Sequence, residues 1–233
     1  MNREEAVLKE LNLYPEWVQR GRPDPLPSPV EARERAVEDQ AGQSSEFGWP
    51  ELKARVRGCT ACKLRAGCKQ TVFGVGDEKA GWLFVGEGPG ADEDERGEPF
   101  VGQAGKLLDN MLAVIGLKRG KDVYIGNIVK CRPPGNRVPE ADEIAQCLPF
   151  LQRQIKLIQP KLIVALGKTA ATALLGKDAA LASLRGKLHD FGGIPLVITY
   201  HPAYLLRAPM EKAKAWQDLC LAVETMNNRA SSD

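Results

Sequence analysis

Cys59 and Cys62 form a Cys-x-x-Cys pair, and Cys131 and Cys147 follow much later in the chain. Two thiolates in one tight turn can reach a single inorganic centre. A second pair closes the tetrahedral sulfur shell that zinc or an iron–sulfur cluster requires. Between the pairs lies Gly86-Glu87-Gly88-Pro89-Gly90, directly after an apolar run. The pattern is a metal-type frame beside a loop whose backbone can approach a ligand closely. Two cysteines fall outside the pairs. Cys68 is a spare thiol near the first pair, and Cys220 shares a helical face with Trp216, Leu219 and Val223, which places it in the core.

The glycine tract fits a nucleotide fingerprint poorly. Pro89 lacks an N–H, and Asp92, Glu93, Asp94 and Glu95 would repel a pyrophosphate. A plain tight turn and a contact with a flat ligand both remain open. Phe100, in a Gly- and Pro-rich loop, is either core or a stacking face for a base. Asn127 interrupts an apolar strand, so its amide is either satisfied by the fold or reads a ligand through one donor and one acceptor edge. His201, one of two histidines, follows a strand and precedes Pro202. A structural and a catalytic role both suit it, while His189 reads as surface or structural.

Four β-rich apolar runs must position these residues: 82–86, 123–129, 162–166 and 196–200. Continuous hydrophobicity marks strands buried on both faces. Helical patterns fall between them: one carries Leu107, Leu108, Met111, Leu112 and Ile115, and another runs from Ile144 to Ile158 after the acidic turn at 140–143. Further helices cover 169–175 and 212–226. Alternating strands and helices of this length predict a parallel sheet covered on both sides, with its site beyond the carboxyl ends of the strands. Glu87, Asn127 and His201 all fall there.

The chain has 233 residues and a formal net charge of +2. Its apolar runs are too short to span a bilayer and its start is polar and acidic, so a cytoplasmic, nucleoid-associated protein with reduced thiols is expected. Residues 1–50 hold six Lys/Arg and ten Asp/Glu, leaving 26 and 20 for the remainder. Lys53, Arg55, Arg57, Lys63, Arg65 and Lys69 face only Glu51 between 51 and 70, which suggests either a polyanion partner or a solvated face. Residues 1–50, with a short helix over 4–20 and alternate prolines from Pro23 to Pro29, read as a mostly disordered extension that docks an unidentified protein. A domain over 51–228 and a disordered tail over 229–233 complete the division.

Taken together, these tracts resemble the family 4 uracil-DNA glycosylases, the bacterial and archaeal class with a [4Fe–4S] cluster. The similarity covers roughly residues 52–225. It rests on Cys59-x-x-Cys62, the Gly86–Gly90 tract with its acidic follow-on, Glu98-Pro99-Phe100-Val101-Gly102-Gln103-Ala104-Gly105, Asn127-Ile128-Val129-Lys130-Cys131-Arg132-Pro133-Pro134 and the His201 tract. The resemblance implies a three-layer α/β/α sandwich around a four-stranded parallel sheet. It implies Cys59, Cys62, Cys131 and Cys147 as cluster ligands and a uracil pocket of Glu87, Gly88, Pro89, Phe100, Asn127 and His201. In it Phe100 stacks on the flipped base, Asn127 reads the N3–H and O4 edge, and His201 donates to O2 as negative charge develops there.

The wider superfamily places a carboxylate one position after Glu87. Here that position is Gly88, leaving Glu87 or Glu93 to support the sugar cation and water. Leu205 is the expected wedge into the duplex, and Arg207 with the basic stretch at 53–69 the expected phosphate grip. The basic loop between the second cysteine pair, with Lys130, Arg132 and Arg137, would be ordered by the cluster. The implied activity is monofunctional base release by a monomer from single- or double-stranded DNA. Two other classes are weighed: a zinc or iron–sulfur nucleic-acid-binding module without catalysis, and a sister glycosylase preferring hypoxanthine or xanthine or trapping DNA covalently. The absence of histidine before Lys187 argues against the covalent variant, and Glu87 against another lesion.

Overall fold

A computed structural model describes residues 47–230. The proposed extension up to 46 and the last three residues lie outside the described residues. The elements run α1 (Trp49–Arg57), α2 (Leu64–Gly67), β1 (Val75–Gly76), β2 (Trp82–Gly86), α3 (Ala91–Arg96), α4 (Gln103–Val114), β3 (Val123–Asn127), α5 (Ala141–Ile158), β4 (Leu162–Leu166), α6 (Lys168–Leu175), α7 (Leu181–Leu184), β5 (Leu188–Phe191), β6 (Ile194–Thr199), α8 (Pro202–Arg207) and α9 (Lys212–Ala230).

The sheet has six strands in the order β1-β3-β2-β4-β6-β5. Its four central strands are parallel, as the apolar runs predict. Two short antiparallel edges, β1 on β3 and β5 on β6, extend the expected four-stranded sheet. β5 turns into β6 through Gly192 and Gly193, both at positive φ (58° and 88°), the conformation that a two-residue hairpin turn demands.

Side chains alternate along each strand between the two faces. In β2, Leu83 and Val85 join one apolar cluster with Leu151 and Ile155 of α5 and Ala170 and Leu174 of α6. Trp82 and Phe84 join the other, with Leu108 and Leu112 of α4 and Ala222 of α9. Helices therefore cover both faces, giving three layers. Each fully buried aliphatic or aromatic side chain contributes roughly 1.5–3 kcal/mol, so these strand ends are stiff mounts for loops.

The domain starts before residue 51. Trp49 packs on Tyr124 with ring centroids 5.7 Å apart, and the Phe47 carbonyl accepts from Arg153. At the other end α9 continues to Ala230, so residues 229 and 230 are helical rather than part of a disordered tail. Cys220 is exposed, not core, because the inward face of α9 is carried by Ala215, Leu219 and Ala222.

The strand order reverses around β2: β3 lies on one side of it and β4 on the other. Such a reversal opens a crevice at the carboxyl ends of the strands. Gly86 pairs with Asn127 across β2 and β3, and Leu166 with Thr199 across β4 and β6, so all four parallel strands end on one rim.

Candidate active site

A cavity of about 1090 Å³ lies on that rim. Glu87, Gly88, Pro89, Phe100, Asn127 and His201 all line it, and so do Glu93 and Arg207. One glycine sets the closest approach among them. A β-carbon at Gly86 would stand 2.5 Å from both Asn127 Oδ1 and Phe100 Cζ, so only a bare backbone lets the amide and the ring converge.

Asn127 is 2 % exposed and its Oδ1 has no hydrogen-bond partner. Leaving a buried acceptor unpaired costs about 1–3 kcal/mol, which marks the group as one awaiting a donor. Its backbone is held from below. Lys130, fully buried, donates from Nζ to the Asn127 carbonyl (2.9 Å) and to Gln154 Oε1 (2.6 Å). Gln154 in turn donates to Phe73 O (3.0 Å) and to the Tyr124 hydroxyl (3.1 Å). Burial lowers the Lys130 pKa to about 8. Lys130 therefore braces the strand end and does not grip phosphate.

Phe100 is 6 % exposed and sits at φ 56°, a left-handed conformation that strains a non-glycine residue. Its loop is over-determined. Glu93 Oε1 accepts from Val101 N (2.9 Å) and Gly102 N (3.1 Å), and Oε2 accepts from Gly90 N (3.0 Å). Glu93 thus ties the glycine loop to the aromatic loop, and both its oxygens are occupied by backbone. Arg119 donates to Pro99 O (2.9 Å) and Phe100 O (2.8 Å), while its Nε donates to Asp109 (3.0 Å). Nothing local in the sequence marks Arg119 as part of the site. Gly105 is obligatory there, because a β-carbon would fall 1.7 Å from the Phe100 carbonyl oxygen.

His201 caps α8, its Nδ1 accepting from Ala203 N at 3.2 Å. That acceptor role puts the proton of the neutral ring on Nε2. Burial, helped by the Arg207 charge and opposed by Glu93, pulls its pKa down to about 4. At neutral pH the ring is an uncharged N–H donor. Its centroid lies 5.4 Å from that of Phe100, tilted by 30°.

Glu87 accepts from the Thr169 hydroxyl in the first turn of α6, a partner the sequence reading missed. Gly88, where the resemblance would place a carboxylate, is crowded by a neighbouring side chain. A β-carbon would stand 2.7 Å from Val129 Cγ2. His189 Nε2 lies 2.7 Å from the Leu184 carbonyl, a structural role.

The expected DNA-contacting residues divide. Arg207 is exposed on the rim. Leu205, in contrast, is 1 % exposed and packs with Met111, Tyr200, Ala215 and Leu219, so it cannot serve as the wedge in this conformation. Its neighbour Leu206, 45 % exposed, faces outward. The basic stretch is largely neutralised by acids from elsewhere in the fold. Lys53 pairs with Glu78 (2.6 Å), Lys63 with Glu140 (2.5 Å) and Lys69 with Glu95 (2.5 Å), while Arg55 pairs with Glu51 (3.2 Å). Arg137 is committed to the buried Glu143 carboxylate at 2.6 and 2.8 Å, holding its pKa down at about 2. Of the basic loop residues Lys130 is buried on neutral acceptors, and Arg132, bonded to Asn136, is the one outside the core with no acid partner among the described residues.

Cys59, Cys62, Cys131 and Cys147 line a second, separate hollow. Burial, reinforced by Cys68 and then by Cys147 and Cys62, pushes the Cys131 thiol up, and burial raises Cys147 to about 11 despite Lys130. The Lys130 backbone N–H donates to Cys147 Sγ at 3.2 Å. Among the described residues no three His, Cys, Asp or Glu side chains gather tightly enough for a single metal ion. Four thiols around one hollow, Cys131 and Cys147 buried and Cys59 and Cys62 half-buried, with an N–H aimed at sulfur, suit a bulkier sulfur-ligated group. Cys68 is buried beside Cys131 but does not line the hollow. No described helix is long and apolar enough to cross a membrane.

Comparison with known proteins agrees with this geometry. Residues 73–220 match the family model of the uracil DNA glycosylase superfamily. A type-4 uracil-DNA glycosylase of Pyrobaculum aerophilum is 44 % identical over 179 residues, 73 % of this chain and 91 % of that protein. One of Thermotoga maritima is 48 % identical over 158 residues, 67 % of this chain and 82 % of its own length. A type-5 uracil-DNA glycosylase of Pyrobaculum aerophilum is 33 % identical over 147 residues, 56 % of this chain and 64 % of that protein. Its lower identity separates the two types, and the chain belongs to the type-4 family of the uracil-DNA glycosylase superfamily.

Proposed function

We propose that this protein hydrolyses the N-glycosidic bond of uracil in DNA, releasing the free base and leaving an abasic site. The observation that carries the reading is the convergence of a buried, partnerless amide oxygen on Asn127, the Phe100 ring and a neutral His201 donor on one cavity. Uracil presents N3–H to an amide oxygen and O4 to an amide N–H. Cytosine reverses both and would leave buried polar groups unpaired. Sites of that kind reject the wrong pattern strongly.

A duplex base must first leave the stack, at a cost of a few kcal/mol. The Phe100 face then replaces part of the lost stacking. As the bond to the sugar lengthens, electrons pass to the base and charge collects on O2. His201 Nε2–H stabilises that charge without itself becoming a cation. Glu87, oriented by Thr169, holds the carboxylate that orients water and steadies the developing sugar cation; Glu93 is left as a loop brace. Leu206 takes the wedge role, and Arg207 and Arg132 contact phosphate.

A [4Fe–4S] cluster on Cys59, Cys62, Cys131 and Cys147 fits four thiols, two buried and two half-buried, that line one hollow. When bound it supplies cross-linking of the chain, because glycosidic hydrolysis transfers no electrons. Those ligands would tie α1 and α2 to the end of β3, which carries Asn127, and to the loop after it, which carries Lys130.

The test is base release by cluster-intact protein from duplexes carrying one uracil, hypoxanthine or thymine each. Free uracil from the first alone supports the reading, and its absence overturns it.

A further inference from the structure

We propose that Tyr204 is a preformed stacking platform for a DNA base adjoining the flipped nucleotide, a binding site distinct from the uracil pocket. It deepens the DNA-glycosylase reading and rests on it. Tyr204 lies on the first turn of α8, 40 % exposed at the cavity rim. Its ring stacks on Tyr200, with centroids 5.0 Å apart and planes 28° apart. Tyr200 is immobilised in turn. Its hydroxyl donates to Glu211 Oε2 at 2.7 Å, and the Arg185 guanidinium lies 4.1 Å from its ring centroid. Arg185 Nη2 is bonded to Asp218 (2.7 Å), which is 1 % exposed, and to the Lys214 carbonyl (2.6 Å).

Asp218, Arg185, Tyr200 and Tyr204 thus form a column that runs from α9 to the rim of the cavity. A tyrosine needed only to support α8 could lie inward like Leu205; this one stays substantially open to solvent. A ring already fixed by its neighbours loses little further freedom when a base lands on it. Every base offers a π-face, so such a contact is independent of sequence, as a glycosylase scanning for one lesion needs. The outward Leu206 and Arg207 beside it supply an apolar edge and a cation, the companions expected where a strand is parted and its phosphates held.

The test measures affinity for a duplex carrying an uncleavable 2′-fluoro-2′-deoxyuridine, with each base flanking it replaced in turn by an abasic spacer. Wild type, Tyr204→Phe and Tyr204→Leu are compared. The Leu variant should bind roughly 5- to 100-fold more weakly and the Phe variant within about twofold of wild type. At one flanking position the spacer should weaken wild type by the same factor and leave the Leu variant unaffected. The slope of log Kd against log salt should be unchanged, since no charge is removed. Equal spacer effects in wild type and the Leu variant, or equal damage by Phe and Leu, overturn the proposal. So does a wild type indifferent to every spacer, a result that does not depend on how the variants fold. Uracil release by wild type is scored separately, so failure of the platform and failure of the glycosylase reading remain distinguishable.

Discussion

Arg119 holds Phe100 in place by its main chain: one guanidinium donates to the Pro99 and Phe100 carbonyls at 2.9 and 2.8 Å, while Asp109 anchors its Nε. The arrangement matters because Phe100 is kept at φ 56°, where a non-glycine residue relaxes if released. Arg119→Met should lower kcat/KM for uracil-containing DNA by about tenfold, mainly through KM if stacking is lost from the bound base. It should cost about 1–2 kcal/mol of stability, a shift of a few degrees in Tm. Arg119→Lys, with a single point donor, should recover only part of the loss. Kinetics unchanged in the Met variant would show that the loop keeps its shape unaided.

The pH dependence follows from His201. Its pKa of about 4 in the native state lies below the ordinary 6.5. Above 6.5 both native and unfolded rings are neutral. Between 6.5 and 4 the unfolded ring takes a proton and the native ring does not, so stability falls as pH falls. By pH 4.5 the loss from this group is about 2 kcal/mol. His201→Gln should therefore lose less Tm than wild type between pH 7 and 4.5, despite its loss of turnover. The acid limb of kcat/KM should fall near pH 4 and not near 6.5. A limb at 6.5 would mean that the catalytic ring is solvated and not buried as described.

Much of this was legible because it is local. The buried strands announce themselves as continuous apolar runs, and Glu87, Asn127 and His201 each stand at or within two residues of a strand end. The edge strands were missed. β1 has two residues, and β5 alternates exposed and half-buried positions, so neither offers a run of apolar residues. The Gly192-Gly193 pair was the available signal for β5. Leu205 was misread because α8 begins at Pro202: that start turns Leu205 toward Leu219 and sends Leu206 outward. Charge was misjudged for a different reason. Glu78, Glu95 and Glu140 lie far from the basic stretch in sequence and meet it only through the fold. Arg119, Thr169 and Gln154 act on backbone or side chains distant along the chain, so no spacing reveals them.

The Lys130 network predicts a specificity effect separable from catalysis. Asn127→Asp should weaken the exclusion of cytosine, because a carboxyl group no longer enforces one donor and one acceptor. Lys130→Met removes the brace on the Asn127 carbonyl and leaves Gln154 Oε1 without its partner, at about 1–3 kcal/mol. The expected result is a lower uracil-over-cytosine ratio in both variants, measured on otherwise identical duplexes. Unaltered selectivity in Asn127→Asp would remove that residue from base reading.

Cluster removal should act through the same strand end. The Lys130 N–H donates to Cys147 Sγ while its ammonium holds the Asn127 carbonyl, so one residue links the thiol hollow to Asn127. Cys147→Ser should abolish brown colour and absorption near 400 nm, lower Tm by several degrees and weaken binding of uncleavable uracil DNA. Cys68→Ser, outside the hollow, should keep the absorption. If Cys147→Ser loses the chromophore yet binds DNA with wild-type affinity and melts at the wild-type temperature, the hollow and the pocket are uncoupled. If Cys68→Ser bleaches the protein instead, the ligand set must be redrawn around that thiol.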